Sequence, residues 1–335
     1  MTLQVGITLD LGNARYDQHV IALRLGRGRL PAIDRLEALL PAGVELDAQP
    51  GDDVSLSLDG GEGESQVFTG QLTAVAHTPS AVRVTAHGGG LRLARYRPAL
   101  SLETVTCGDV ITQLCGDAGV DTGTVDGGPT MALYAADGRA TALDETVRLA
   151  WLGGTQAAFD GDGRLFAAAG GGPGEDMALR YGRELIDAEV YQLVADETEL
   201  AVAGEGAAAA TAANARQVIV DFFAGAAPTP GPDTRVRAEP ALRTSDDADA
   251  AAAAWTARRI EAEARVRFTA WLVPGLAPGA RVEIQDAPGD LGLSECRVER
   301  VVHTIDARRG GRTRVWGSSV TDAGGGLLGA LGGLL

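Results

Sequence analysis

Apolar and polar residues alternate in short bursts near both ends of this chain. Val54-Ser55-Leu56-Ser57-Leu58 is a regular two-residue alternation, and the Gly60–Gly63 cluster after it signals a turn. Val5–Leu11, His19–Leu25, Val67–Ala76 and Ala81–Ala86 carry the same period and predict further short strands. Ile33, Leu36, Leu39 and Leu40 are spaced as on a helix, which predicts a short helix or turn over 33–40. Strands that are polar on one side are expected in an antiparallel barrel or sandwich with one wall in solvent.

The pattern changes at Ser101. Thr106 with Asp109 three residues later has the form of a helix cap, and Val110, Ile111, Leu114, Cys115 and Ala118 follow on one helical face. Thr141 and Asp144 open a second such helix, with Leu143, Val147 and Ala150 as its stripe and Gly153-Gly154 as its stop. Gln156–Phe159 and Arg164–Phe166 flank Asp160-Gly161-Asp162-Gly163 and predict a hairpin. Ser101 to about Leu193 therefore reads as a small α+β insertion. Ala201–Thr211 and Gly225–Asp233 read as loops around a strand at Arg216–Phe223. Asp246–Glu263, acidic at its start and basic toward its end, reads as a helix. Ala323–Leu335 is glycine with leucines at 327, 328, 331, 334 and 335.

Aligning the two β-rich ends reveals a repeat. Pro50-Gly51-Asp52-Asp53-Val54-Ser55-Leu56 answers to Pro278-Gly279-Ala280-Arg281-Val282-Glu283-Ile284. Gly70–Thr78, ending Val75-Ala76-His77-Thr78, answers to Cys296–Thr304, ending Val301-Val302-His303-Thr304. The proline-to-histidine spacing is 27 residues in the first copy and 25 in the second. A further alternating run closes each unit, Ala81–Gly88 and Arg312–Gly317. His77 and His303 occupy equivalent places at strand ends, which predicts a structural hydrogen bond for each. The second copy alone adds arginines at 297, 300, 308, 309, 312 and 314.

Composition narrows the chemistry. The net charge is −16, which argues against affinity for DNA or anionic lipid. Every basic side chain is arginine, so phosphate-loop and Schiff-base lysines are excluded. No stretch is long and apolar enough to cross a bilayer, and the N-terminus shows no secretory signal pattern. Cys107 and Cys115, eight residues apart on one helix, are separated by about 12 Å, too far for a disulfide. With Cys296 they predict a reduced protein folded in cytoplasm. Asp160–Gly163 fails as a calcium loop, because its fifth and twelfth positions are Arg164 and Gly171. The four histidines lack metal-ligand spacing, and Gly170–Gly174 lacks the setting of a nucleotide loop. No catalytic, cofactor or metal residues are predicted.

Several segments, in order, resemble the hub proteins of contractile injection machines. These are the late-control D family of phage tails and the N-terminal part of the valine–glycine-repeat spike proteins of type VI secretion. The segments are Asp53–Leu58 running into Phe68-Thr69-Gly70, the Thr104–Val120 helix, Leu143–Gly154, Phe159–Leu165, Leu179–Leu185, Asp246–Arg265, and Leu276–Gly279 through Val301–Thr304. Together they cover most of Leu46–Gly317. The resemblance implies a mainly β (α+β) fold with two related antiparallel β-barrel domains, 1–100 and 196–320. An α+β domain at 101–195 would be inserted between them, a linker helix at 246–265 would belong to the second, and a tail would follow at 321–335. It further implies a non-enzymatic homotrimer joining a six-fold tail tube to a three-fold spike inside a baseplate, assembled in the bacterial cytoplasm. Its partners would be the tube protein, a separate spike or needle protein and baseplate wedge proteins, without specific nucleic-acid binding. Leu327, Leu328, Leu331, Leu334 and Leu335 are candidates for docking on a partner. A tail-tip cell-wall hydrolase and a β-rich adhesin or carbohydrate-binding module are the competing readings, although only 4% of residues are aromatic and could stack on sugars.

Overall fold

The computed structural model describes residues 5–169, 172–193, 199–204, 234–239, 241–242, 245–288 and 294–320. The first β unit comprises β1 (Gly6–Leu11), β2 (Ala14–Arg15), β3 (Ala22–Gly28), β4 (Arg35–Pro41), β5 (Asp53–Asp59), β6 (Glu64–His77) and β7 (Ala81–Gly88). After α1 (Gly90–Arg95) come β8 (Ala99–Thr106), α2 (Cys107–Asp117), β9 (Thr122–Val125), β10 (Thr130–Asp137), α3 (Ala142–Leu152), β11 (Gln156–Phe159) and β12 (Leu165–Ala168). The chain continues through β13 (Met177–Arg180), β14 (Leu185–Gln192), β15 (Glu199–Gly204), β16 (Thr234–Glu239) and α4 (Ser245–Glu261). It closes with β17 (Ala264–Trp271), β18 (Arg281–Gln285), β19 (Glu295–Asp306) and β20 (Gly310–Ser319). The fold is mainly β, as the sequence predicts.

Among the described residues, thirteen strands form one sheet, ordered β14-β17-β20-β19-β3-β4-β7-β6-β5-β1-β2, with β18 on β19 and β13 on β18. The central joint is the antiparallel pairing of β3 with β19, from Gly28 opposite Arg300 to Ala22 opposite Asp306. The two β units thus share one hydrogen-bonded sheet although they lie at opposite ends of the chain.

The repeat is visible bond for bond. Gly51 N donates to Leu72 O (2.8 Å) and Leu72 N to Asp52 O (2.8 Å); Gly279 N donates to Val298 O (2.8 Å) and Val298 N to Ala280 O (2.9 Å). Gly51 and Gly279 both stand at positive φ, +107° and +96°, which only glycine adopts without strain. One residue later each long strand bulges, at Thr73 in β6 and at Glu299 in β19. The bulged side chain then reaches the last strand of its unit: Thr73 Oγ1 lies 2.8 Å from His87 Nδ1, and Ser318 Oγ donates to Glu299 Oε1 at 3.0 Å.

Three apolar clusters lie along this frame. The first gathers Leu9, Leu25, Leu36, Leu56, Phe68 and Val84. The second joins α2 and α3 through Val110, Ile111, Leu114, Leu149 and Leu152, and extends to Phe159 and Trp255. The third holds Phe268, Val282, Cys296, Val301 and Val315 together with Leu179 and Leu185. β13 and β14, which the sequence reading places in the insertion, pair with β18 and β17 of the second unit. The insertion's own strands form small sheets, β8 with β10 and β11-β12-β9.

Both predicted helix caps are present. Thr106 and Thr141 each accept from the backbone N–H of Asp109 and Asp144, and each aspartate accepts the threonine's own N–H in return. The 33–40 expectation is corrected: Arg35–Pro41 is a strand between β3 and β7. Leu36, Ala38 and Leu40 face the core while Arg35 and Glu37 face out, so the two-residue period outweighs the apparent helical spacing. The His19–Leu25 strand begins only at Ala22. Residues 199–204, expected to be loop in part, form a strand because β16 supplies a parallel partner. Arg216–Phe223 and Gly225–Asp233 lie outside the described residues.

Candidate functional site

Two arginines at the end of β3 tie the joint together. Arg27 is buried and donates from its guanidinium to Phe159 O at 2.7 Å, reaching from the first unit into the insertion hairpin. Its Nε stands 3.5 Å from Asp34 Oδ2, and Asp34 Oδ1 accepts from Gly28 N at 3.1 Å. Burial pushes the Asp34 carboxyl up to about 6, against the opposing pull of Arg27. Arg29 bonds Gln156 Oε1 in the insertion and Glu299 Oε1, 2.9 Å away on the β19 bulge. Burial lowers its guanidinium to about 10, so it stays charged at neutral pH. First unit, insertion and second unit therefore meet at one ionic knot. Nothing in the local sequence marks Arg27, Arg29 or Asp34, because their partners lie up to 270 residues away.

The repeat's two histidines part company. His303 is buried with Nδ1 3.0 Å from Thr313 Oγ1, which also accepts from Val273 N. Burial drives its imidazole down to about 3, so it is neutral. His77 is exposed at the end of β6 and makes no side-chain hydrogen bond among the described residues; in the first unit His87 bonds Thr73 instead.

The outward face of the long sheet is segregated by charge. Asp53, Gln71, His87, Arg35, Gly26, Val302, Arg314 and Thr269 lie in register across successive strands of one row. Over β3, β19, β20 and β17 this face presents Arg24, Arg300, Arg312 and Arg314 around Trp271 and Trp316. Arg312 stacks on Trp271 at 4.4 Å and Arg300 on Trp316 at 5.3 Å. A concavity of about 510 Å³ beside them is lined by Arg24, Arg309, Arg312, Arg314, Trp316 and Asp306. The β1–β5 end carries Asp10, Asp17, Asp53, Asp59, Glu62 and Glu64, with Arg15 ion-paired to Asp10 at 2.8 Å.

Cys107, Cys115 and Cys296 are buried free thiols, each pushed up to about 12 by burial and so not nucleophilic near neutrality. Among the described residues no His/Cys/Asp/Glu group could hold a metal ion. The Asp160–Gly163 turn is closed by Arg164, which donates to Asp160 (2.8 Å) and Asp162 (2.9 Å), as a hairpin would have it. Asp52 accepts from Gln49 N at 2.9 Å in a turn, and Asp246 and Asp247 sit in the first turn of α4. No helix among the described residues is long and apolar enough to cross a membrane. The candidate docking leucines 327, 328, 331, 334 and 335 lie outside the described residues.

Neither a protein-family profile nor a curated protein sequence matches the chain. Solved structures do. The 43 kDa tail protein of prophage MuSo2 from Shewanella oneidensis superposes with a TM-score of 0.67 at 14% identity, over 94% of this chain and 98% of that one. A tail protein from Neisseria meningitidis gives 0.68 at 12% identity, over 94% and 96%. An Escherichia coli component of the type VI secretion system, described as structurally similar to the T4 bacteriophage tail proteins gp27 and gp5, gives 0.61 at 13%, over 94% and 77%. At such identities the likeness establishes the architecture: this chain has, almost end to end, the fold of phage tail proteins.

Proposed function

We propose that the protein is a structural hub of a contractile injection machine, a phage tail, a tailocin or an extracellular injection system. The observation that carries this reading is the single sheet running through two β units that repeat the same glycine turn and bulge, in a chain that shares its fold over 94% of its length with phage tail proteins. A trimer of such chains presents six similar units in a ring, which suits a six-fold tube on one side and a three-fold spike on the other. The apolar clusters cross from one part of the chain to another, Leu272 and Ile305 joining the first cluster and Leu30, Leu242 and Trp255 the second, and the reading divides the chain into a first barrel domain (1–100), an α+β insertion (101–195) and a second barrel domain (196–320). Residues 177–192 would pack with the last of these. The partners in this reading are other copies of the chain, a tail tube protein, a spike or needle protein and baseplate wedge proteins. The 321–335 segment would supply its leucines to one of these contacts, and assembly would take place in the bacterial cytoplasm.

Negative-stain microscopy with mass photometry tests the reading, on the chain alone and co-expressed with a spike protein from the same genome. A three-fold ring is expected in at least one preparation. A particle that stays monomeric in both would overturn the hub.

A further inference from the structure

We propose that the arginine–tryptophan strip of β3, β19, β20 and β17 docks the acidic β1–β5 end of a second copy of this chain. The proposal rests on the self-assembly in the hub reading and names the surface that mediates it.

The strip is anomalous for its chain. The protein carries a net charge of −16, yet Arg24 and Arg314 project from central strands with no ion pair among the described residues. Both are exposed, and they share a face with the half-buried Trp271 and Trp316. Exposed cations left unpaired in an acidic protein indicate a carboxylate-bearing partner, and arginine and tryptophan are the residue types that dominate binding energy at protein interfaces. Glu37 and Glu189 already engage Arg35 and Arg267 at the borders, and Asp306 is the one carboxylate lining the central concavity, against Arg24, Arg309, Arg312 and Arg314.

The complementary surface is on the same face of the same sheet. Asp17, Asp53, Glu62 and Glu64 are exposed at its other end. The one base there, Arg15, has its guanidinium raised by its bond to Asp10, with Glu64 and Asp17 contributing as nearby charges. Within the chain the end of β5 abuts the end of β17, where Gly60 meets Leu272, yet no ion pair joins the basic strip to the acidic end among the described residues. They meet between chains, head to tail, and a contact of that kind closes into a ring when its rotation allows. A second copy is favoured over a polyanion such as DNA because a chain of this net charge repels one.

Sedimentation equilibrium of the full-length protein from 0.1 to 50 μM reads the contact. Wild type is expected to self-associate, and its association constant to fall at least tenfold between 50 and 500 mM salt. R24E/R314E and D53R/E64R are each expected to lose association at least tenfold, and an equimolar mixture of the two to regain it. The neutral pair R24Q/R314Q provides a milder second test, with circular dichroism confirming that each variant is folded. Wild-type-like association of R24E/R314E, or failure of the mixture to recover, overturns the docking surface while leaving the hub intact. A wild type that remains monomeric at 50 μM also overturns it, whereas the hub is judged by the spike co-expression experiment. Salt-sensitive binding of duplex DNA that R24E/R314E abolishes, with self-association unchanged, assigns the strip to nucleic acid and overturns it as well.

Discussion

Burying Arg27 beside Asp34 removes water from both charges, and each then depends on the other. Asp34→Ala leaves Arg27 without its counter-charge and Gly28 N–H without its acceptor, so a loss of about 3–5 kcal/mol is expected in urea denaturation. Recovery of much of that loss in R27M/D34A would show that unpaired charge, and not lost volume, is the cause. Buried His303 and Asp34 shape the acid limb of stability. His303 has its folded pKa depressed from 6.5 to about 3, so its contribution is complete above pH 6.5 and is lost as pH falls, because the unfolded chain takes up the proton first. Asp34, raised from 3.8 to about 6, acts in the opposite sense between pH 6 and 4, where the folded form holds a proton that the unfolded form releases. Stability measured from pH 7 to 5 should therefore fall less steeply in His303→Gln and more steeply in Asp34→Asn than in wild type.

Element by element, local chemistry decides most of what can be read from residues. The Thr106–Asp109 and Thr141–Asp144 caps are complete in themselves, so their helices are legible without any partner. Thr106→Ala and Thr141→Ala should each lower stability by about 1 kcal/mol in thermal denaturation. The strand at 35–41 was concealed because Leu39 and Leu40 interrupt an otherwise two-residue period; only its neighbours β3 and β7 decide the matter. Gly70 shows the limit from the other side. A side chain there would meet His87 O at 2.3 Å and the Phe68 ring at 2.7 Å, yet its counterpart in the second unit is Cys296. Gly70→Val should unfold the first unit's bulge region, read as lost amide protection around Thr73, while the bulge at Glu299 keeps its protection.

For the whole molecule, the repeat announces two similar units but not that they share a sheet. The register of β3 on β19 depends on side chains nearly the length of the protein apart, and no window of residues contains it. The arginines of the second copy were visible as a difference between repeats. The grouping of Arg300, Arg312 and Arg314 with Arg24 on one face required the topology. The joint also implies a single cooperative unfolding transition for the two units. In calorimetry, removal of the Arg29–Glu299 tie by Glu299→Ala should shift that transition downward without splitting it.

The pairing of β3 with β19 also sets a timetable for synthesis. β3 is made early, but its second neighbour lies some 270 residues downstream, as the Arg29–Glu299 pair measures. At about 5–20 residues per second, that edge of the sheet waits on the order of 15–50 s on the ribosome with its backbone groups unpaired. An open edge held that long can pair with a neighbouring nascent chain. The last strands to leave the ribosome therefore close the most exposed surface of the first ones.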